Sequence, residues 1–180
     1  MFVDQESPES EILRNKFNRL RGETINEFSN AEFMMRAFLV AFDEKAEFDN
    51  SAGYFNSIES VTRNFKLVFE NLGLEDAITE DIFLLIKKFE TVINDRHQFV
   101  HGLARLNTKG RRVDISRFRP KKSNEPKPLE GEKKYELKNS SYYLDNLEER
   151  VHDFCEICGG IIELIRYLDG RLGLEIPSLA

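Results

Sequence analysis

The strongest constraint on how this chain folds is an apolar stripe at helical spacing between residues 82 and 103. At about 100° per residue, with Phe89 as origin, Ile82, Leu85, Ile86, Val92, Ile93, Phe99, Val100 and Leu103 fall within roughly 80° on either side. Arg96 falls near the middle of that arc, where a core helix would carry Leu or Ile. His97 and His101 lie on its flank, roughly 40° apart. A cationic side chain on an apolar face is costly unless it lines a cleft or meets a partner. Arg96 therefore snorkels past a shallow core, pairs with a buried carboxylate, or belongs to a site.

The rest of the chain reads as more helices around this one. A first helix is expected from Glu11 to Phe42, after a flexible tail over residues 1–10. Its second half is apolar almost all round, with Phe28, Phe33, Met34, Met35, Phe38, Leu39, Val40 and Phe42. That pattern suits a central helix, or one shared between a core and a dimer interface. Asp43 to Asn56 reads as a loop. Ile58, Val61, Phe65, Val68, Phe69 and Leu72 mark a second helix that Gly73 can end. Thr79 is a candidate cap for the third, the helix of the stripe.

After Gly102 the period changes. Leu103 to Asn107 and Val113 to Phe118 predict two short strands joined through Lys109 and Gly110. Residues 120–131 hold three Pro and one Gly and read as a loop, and Lys133 to Leu137 predict a third strand. A last long helix spans Leu144 to Leu172, with Gly159 and Gly160 inside it; close helix packing or a kink would accommodate them. The expected fold is mainly α: a bundle of four to five helices with a small hairpin or three short strands before the last long helix.

At 180 residues the chain suits one domain, and 41% apolar with 32% charged residues is a globular composition. Its longest apolar run, Ala37 to Phe42, is far too short to span a membrane. The N-terminus has neither a basic region nor an apolar signal core, so the expected location is cytoplasmic.

Two cysteines, Cys155 and Cys158, provide no disulfide framework. Their spacing, with His152 ahead, raises zinc or redox chemistry. A zinc site wants a fourth ligand and a redox motif wants a βαβ setting. Leu147, Val151, Phe154, Cys158, Ile161, Ile165 and Leu168 instead form one helical stripe, with Cys158 as a small core residue. No metal site or cofactor is expected, and no Gly-rich nucleotide loop stands between a strand and a helix.

The segment Arg96-His97-Gln98-Phe99-Val100-His101, followed by Gly102, resembles the signature of the HEPN superfamily, an Arg and a His separated by a short spacer with a polar residue often following the Arg. Its position, late in the third predicted helix of a small helical chain, agrees with that resemblance. The resemblance implies a helical bundle and a symmetric homodimer with two motifs facing one cleft. It also implies metal-independent endoribonuclease activity in a bacterial toxin, stress-response or phage-defence setting. RNA, a cognate antitoxin or a nucleotidyltransferase are the partners that follow. Some members of the superfamily are inactive and bind RNA, nucleotides or protein instead.

The chemistry is coherent with these residue types. RNA cleavage without a metal needs a base for the 2′-hydroxyl, an acid for the leaving 5′-oxygen, and positive charge at the phosphorane. Histidine suits the first two roles and arginine the third. The candidate catalytic residues are Arg96, His101 and His97, the last as a helper or a mere surface residue. A homodimer would supply one His101 for each proton transfer. One difficulty is that Arg96 and His101 stand about 140° apart on an ideal helix. Glu27, Asn30 and Glu32 of the first helix are further candidates for the same cleft.

The net charge of −6 excludes a uniformly basic nucleic-acid binder. Residues 105–138, however, carry 12 Lys or Arg against 5 Asp or Glu, a local excess of +7. This insertion is either a solvated Lys-rich loop or a surface that follows a phosphate backbone. In the second case Arg105, Arg111, Arg112, Lys121 and Lys122 are the candidate substrate contacts.

Overall fold

The computed structural model describes residues 8–46, 57–72, 76–107, 111–120 and 135–176. Four α-helices and one antiparallel sheet follow in the order α1 (Pro8–Ala46), α2 (Ile58–Asn71), α3 (Asp76–His101), β1 (Leu103–Asn107), β2 (Arg112–Pro120), β3 (Tyr135–Tyr143) and α4 (Leu144–Leu172). The fold is mainly α with a small three-stranded sheet between the third and fourth helices, and none of the described helices is long and apolar enough to cross a membrane.

Helix α1 has 39 residues and is about 58 Å long at 1.5 Å per residue. It begins at Pro8, because proline suits a first helical position and Glu9 and Glu11 favour the first turn. Residues 8–10 of the expected tail are thus helical. At the other end the helix runs on through Asp43 to Ala46, the start of the expected loop; no glycine or proline interrupts it there. Ser57 caps α2 by accepting from the amide of Ser60 at 3.4 Å. Gly73, expected as the C-cap, and the Lys109–Gly110 turn lie outside the described residues. Thr79 sits inside α3, which starts at Asp76, so it is not the cap.

Two apolar clusters hold the fold. The larger joins α1, α2, α3 and α4 through Phe28, Met35, Phe38, Phe65, Phe69, Phe89, Phe154 and Cys158. Phe28 stacks on Phe89 at 5.2 Å, and Phe38 meets Phe65 edge-on at the same separation. The all-round apolar half of α1 is therefore largely core: Met34, Met35, Phe38 and Leu39 are buried and only Phe33 is exposed. The smaller cluster lies under the sheet, where Leu13, Phe17 and Leu20 of α1 and Phe99 of α3 meet Val113 and Ile115 of β2. Leu144, Leu147 and Val151 of α4 close it.

The strand order is β1-β2-β3, with Leu103 opposite Ser116 and Val113 opposite Tyr142. β3 continues to Tyr143, six residues past the expected Leu137, and its polar Asn139-Ser140-Ser141 run is held by pairing with β2 rather than by its own pattern. Helix α4 follows at once and ends at Gly173, whose φ of 59° lets its amide bond to the Asp169 carbonyl at 2.7 Å.

Candidate active site at the end of helix α3

The buried side of α3 follows the predicted stripe: Ile82, Ile86, Phe89, Val92, Ile93 and Phe99 are all buried. Leu103 departs from it, because the helix ends at His101 and Leu103 opens β1 with its side chain exposed. Gly102 makes that sharp change possible. A Cβ there would collide with Cγ2 of Ile115 and with the carbonyl oxygen of Gln98, which accepts the Gly102 amide at 2.9 Å. β2 thus rests directly on the last turn of α3.

Arg96 is half-buried, with its guanidinium 5.3 Å from the ring centroid of Phe28 on α1. Among the described residues an aromatic ring, not a buried carboxylate, accompanies the charge on the stripe. Nη1 of Arg96 lies 3.5 Å from Nδ1 of His97, at the long limit of hydrogen bonding. The other ring nitrogen of His97, Nε2, lies 3.5 Å from Oε1 of Glu59 on α2. An arginine can only donate, so the pairing calls for the neutral tautomer with its proton on Nε2, directed at Glu59. The rings of His97 and His101 stack at 6.0 Å with 27° between their planes.

The angular gap between Arg96 and His101 is therefore bridged by His97, which touches both. Burial lowers the pKa of His97, Arg96 and Arg117 lower it further, and Glu59 partly offsets them. The Glu59 carboxyl is nudged up by burial, but bonds from its own amide, Ser57 and His97 bring it below its usual range. His101 is exposed at the helix end.

Of the candidates on α1, Glu27 and Glu32 have other partners and Asn30 is half-buried. Glu32 accepts from Arg36 at 2.7 Å, one turn along the same helix. Glu27 acts on Cys155 and Cys158 of α4, whose thiols are both pushed up, mainly by burial. Cys158 is wholly buried in the core, and His152 is exposed beside Glu156. Among the described residues no group of three or more His, Cys, Asp or Glu side chains is placed to hold a metal ion.

The basic insertion is divided by the sheet. Nη2 of Arg112 donates to Asp114 at 3.2 Å, and Arg111 donates to Asp145 at 3.3 Å. Arg105 stands opposite Asp114 on β1. Asp114 alternates with the buried Val113 and Ile115, so it and Arg105 occupy the face turned away from the helices. Lys121 and Lys122 lie outside the described residues. Arg117, which the sequence reading passed over, is the insertion residue whose charge reaches His97. The strand alternation from Val113 was the available signal: residues 113, 115 and 117 share one face.

Two further features frame the motif. Arg150 of α4 holds Asp95 of α3 with two bonds, at 2.8 and 3.0 Å, and its guanidinium stands 5.6 Å from the ring centre of Tyr142. Arg21 of α1 donates to the Val100 carbonyl at 3.3 Å. A cleft of about 620 Å³ between α1 and β1 is lined by Arg14, Arg21, Gly102 and Leu103, not by the motif side chains.

In comparisons with known proteins, no family model, no curated protein and no solved structure matches the chain.

Proposed function

We propose that this chain is a metal-independent endoribonuclease of the HEPN type, acting as a homodimer on RNA. The row Arg96–His97–His101, with His97 in contact with both neighbours, is the observation that carries the reading. In this scheme His101 of one protomer takes the 2′-hydroxyl proton as O2′ attacks phosphorus. The P–O5′ bond breaks, and the partner subunit's His101 protonates the leaving oxygen. Arg96 meets the charge on the phosphorane. His97 acts through Arg96 and His101 as a positioning residue, since Arg96 and Glu59 occupy its two ring nitrogens. The products are a 2′,3′-cyclic phosphate and a free 5′-hydroxyl. A bacterial toxin, stress-response or phage-defence role, in the cytoplasm and with a cognate antitoxin or nucleotidyltransferase, belongs to the same proposal.

A second reading, a catalytically silent dimer that binds RNA, a nucleotide or a protein, is favoured by the seat of Arg96 on Phe28, which also serves packing. Digestion of structured and single-stranded RNAs in excess EDTA separates the two. Cleavage by the wild type that disappears in His101→Ala supports the ribonuclease. Intact RNA with the wild type leaves the silent binder.

A further inference from the structure

The inner face of the sheet carries two cations that the motif does not account for. Arg117 of β2 and Lys138 of β3 are directly opposite in register. Cross-strand partners share a face, and like charges so placed repel. That face is the one on which Val113 and Ile115 are buried against the helices. Ile115 covers the last turn of α3 at Gly102, and Arg117 is the next residue along the strand on the same side.

The Arg117 charge is felt by His97 and by Tyr142, which lies on the inner face of β3. Nε of Arg117 is buried without a hydrogen-bond partner, and among the described residues no carboxylate pairs with Arg117 or Lys138. Arg111, Arg112 and Arg150 are each paired with an aspartate, so the missing carboxylate, and not the unpartnered Nε that Arg112 shares, sets Arg117 apart. Gln98, on the turn between Arg96 and His101, is buried with both polar atoms of its amide unpartnered. Two facing cations without a counter-charge among the described residues describe a place for an anion with several acceptor oxygens.

We propose that Arg117 and Lys138 form a phosphate subsite beside the Arg96–His97–His101 row, holding the backbone phosphate of single-stranded RNA next to the one that is cut, an assignment that rests on the ribonuclease reading for its second phosphate. Arg117 presents a planar fork to the phosphate oxygens, and the exposed Lys138 adds a point charge from the neighbouring strand. The subsite recognises the backbone and is indifferent to base identity.

The test is binding of a labelled 2′-O-methyl oligonucleotide, which cannot be cleaved by this route, at a series of salt concentrations. Arg117→Gln and Lys138→Gln should each weaken binding on the order of tenfold at low salt. Each should also flatten the slope of log affinity against log salt by roughly 0.7. Lys138 is exposed, so its variant should keep the fold; Arg117→Lys, which retains the charge, should recover most of the slope. Lys88→Gln, an exposed lysine elsewhere on α3, should change nothing. Wild-type protein that does not bind the oligonucleotide overturns the proposal. So do Arg117→Gln and Lys138→Gln proteins with wild-type affinity and slope, whatever their cleavage activity. If the binding effects appear but no variant or wild type cuts RNA, the subsite stands and the ribonuclease reading falls.

Discussion

Nε2 of His97 and Oε1 of Glu59 stand 3.5 Å apart, tying the motif end of α3 to the first turn of α2. The surroundings of His97 set a pH dependence that this contact only partly offsets. His97 has a folded-state pKa below its ordinary 6.5, through burial first and then the charges of Arg96 and Arg117. The folded state therefore holds that proton less well than the unfolded chain. The stability linked to His97 is complete above about pH 6.5 and is lost as pH falls through the folded pKa. Glu59, Asp114 and Glu148 have lowered pKa values, and their contribution is lost only at more acid pH. Urea midpoints should thus decline in two stages on acidification. His97→Gln should flatten the first stage, which begins below about pH 6.5, and keep the second. An unaltered first stage in that variant refutes the assignment to His97.

His101 and Arg96 should separate chemistry from packing. His101 is exposed, so His101→Ala should unfold at the wild-type urea concentration while losing on the order of 10²–10⁴ in cleavage rate. Arg96→Ala should lose activity and also about 1 kcal/mol of stability, because its guanidinium covers Phe28. Cleavage that survives His101→Ala removes the proposed mechanism.

Glycines in two places should respond with opposite sign. Gly102→Ala drives a methyl into Ile115 and the Gln98 carbonyl and should cost about 1–3 kcal/mol. Gly159→Ala meets nothing within 4 Å in the interior of α4 and should stabilise by about 1 kcal/mol. Denaturant titrations of both variants check the pair. Gly160 is the one of the two adjacent glycines that faces α3, its Cβ position 3.1 Å from Cδ1 of Leu85.

The Asp95–Arg150 pair fastens α3 to α4 below the sheet, and the Asp95 side chain is 14% exposed. Asp95→Ala removes both charge-assisted bonds and should cost roughly 1–2 kcal/mol, less in high salt. A stability that is unchanged at low salt would reduce the pair to a surface contact.

Assembly is open to a direct measurement. The proposed chemistry needs two His101 side chains in one cleft, so light scattering at micromolar concentration should return a dimer. A monomer that nevertheless cuts RNA would leave the second proton transfer without its donor.

Periodicity within single segments settled much of this fold. The limits of α4 at Leu144 and Leu172, those of β1 at Leu103 and Asn107, and the core position of Cys158 are all legible, because each depends on neighbours three, four or two residues away. The Arg-His row was legible as residue types at a spacing. What it touches was not, since Phe28 and Glu59 approach from other helices. Gln98 shows the limit most clearly. It lies about 180° from the centre of the apolar stripe, yet it is buried, because β2 closes over the end of α3. The same closure turned Arg117 inward while aspartates took up Arg111 and Arg112 on the far side of the hairpin and at the start of α4. Helical and strand repeats are local and can be read from composition and spacing; which cation is neutralised depends on contacts between segments far apart in the chain, and only the tertiary structure decides those.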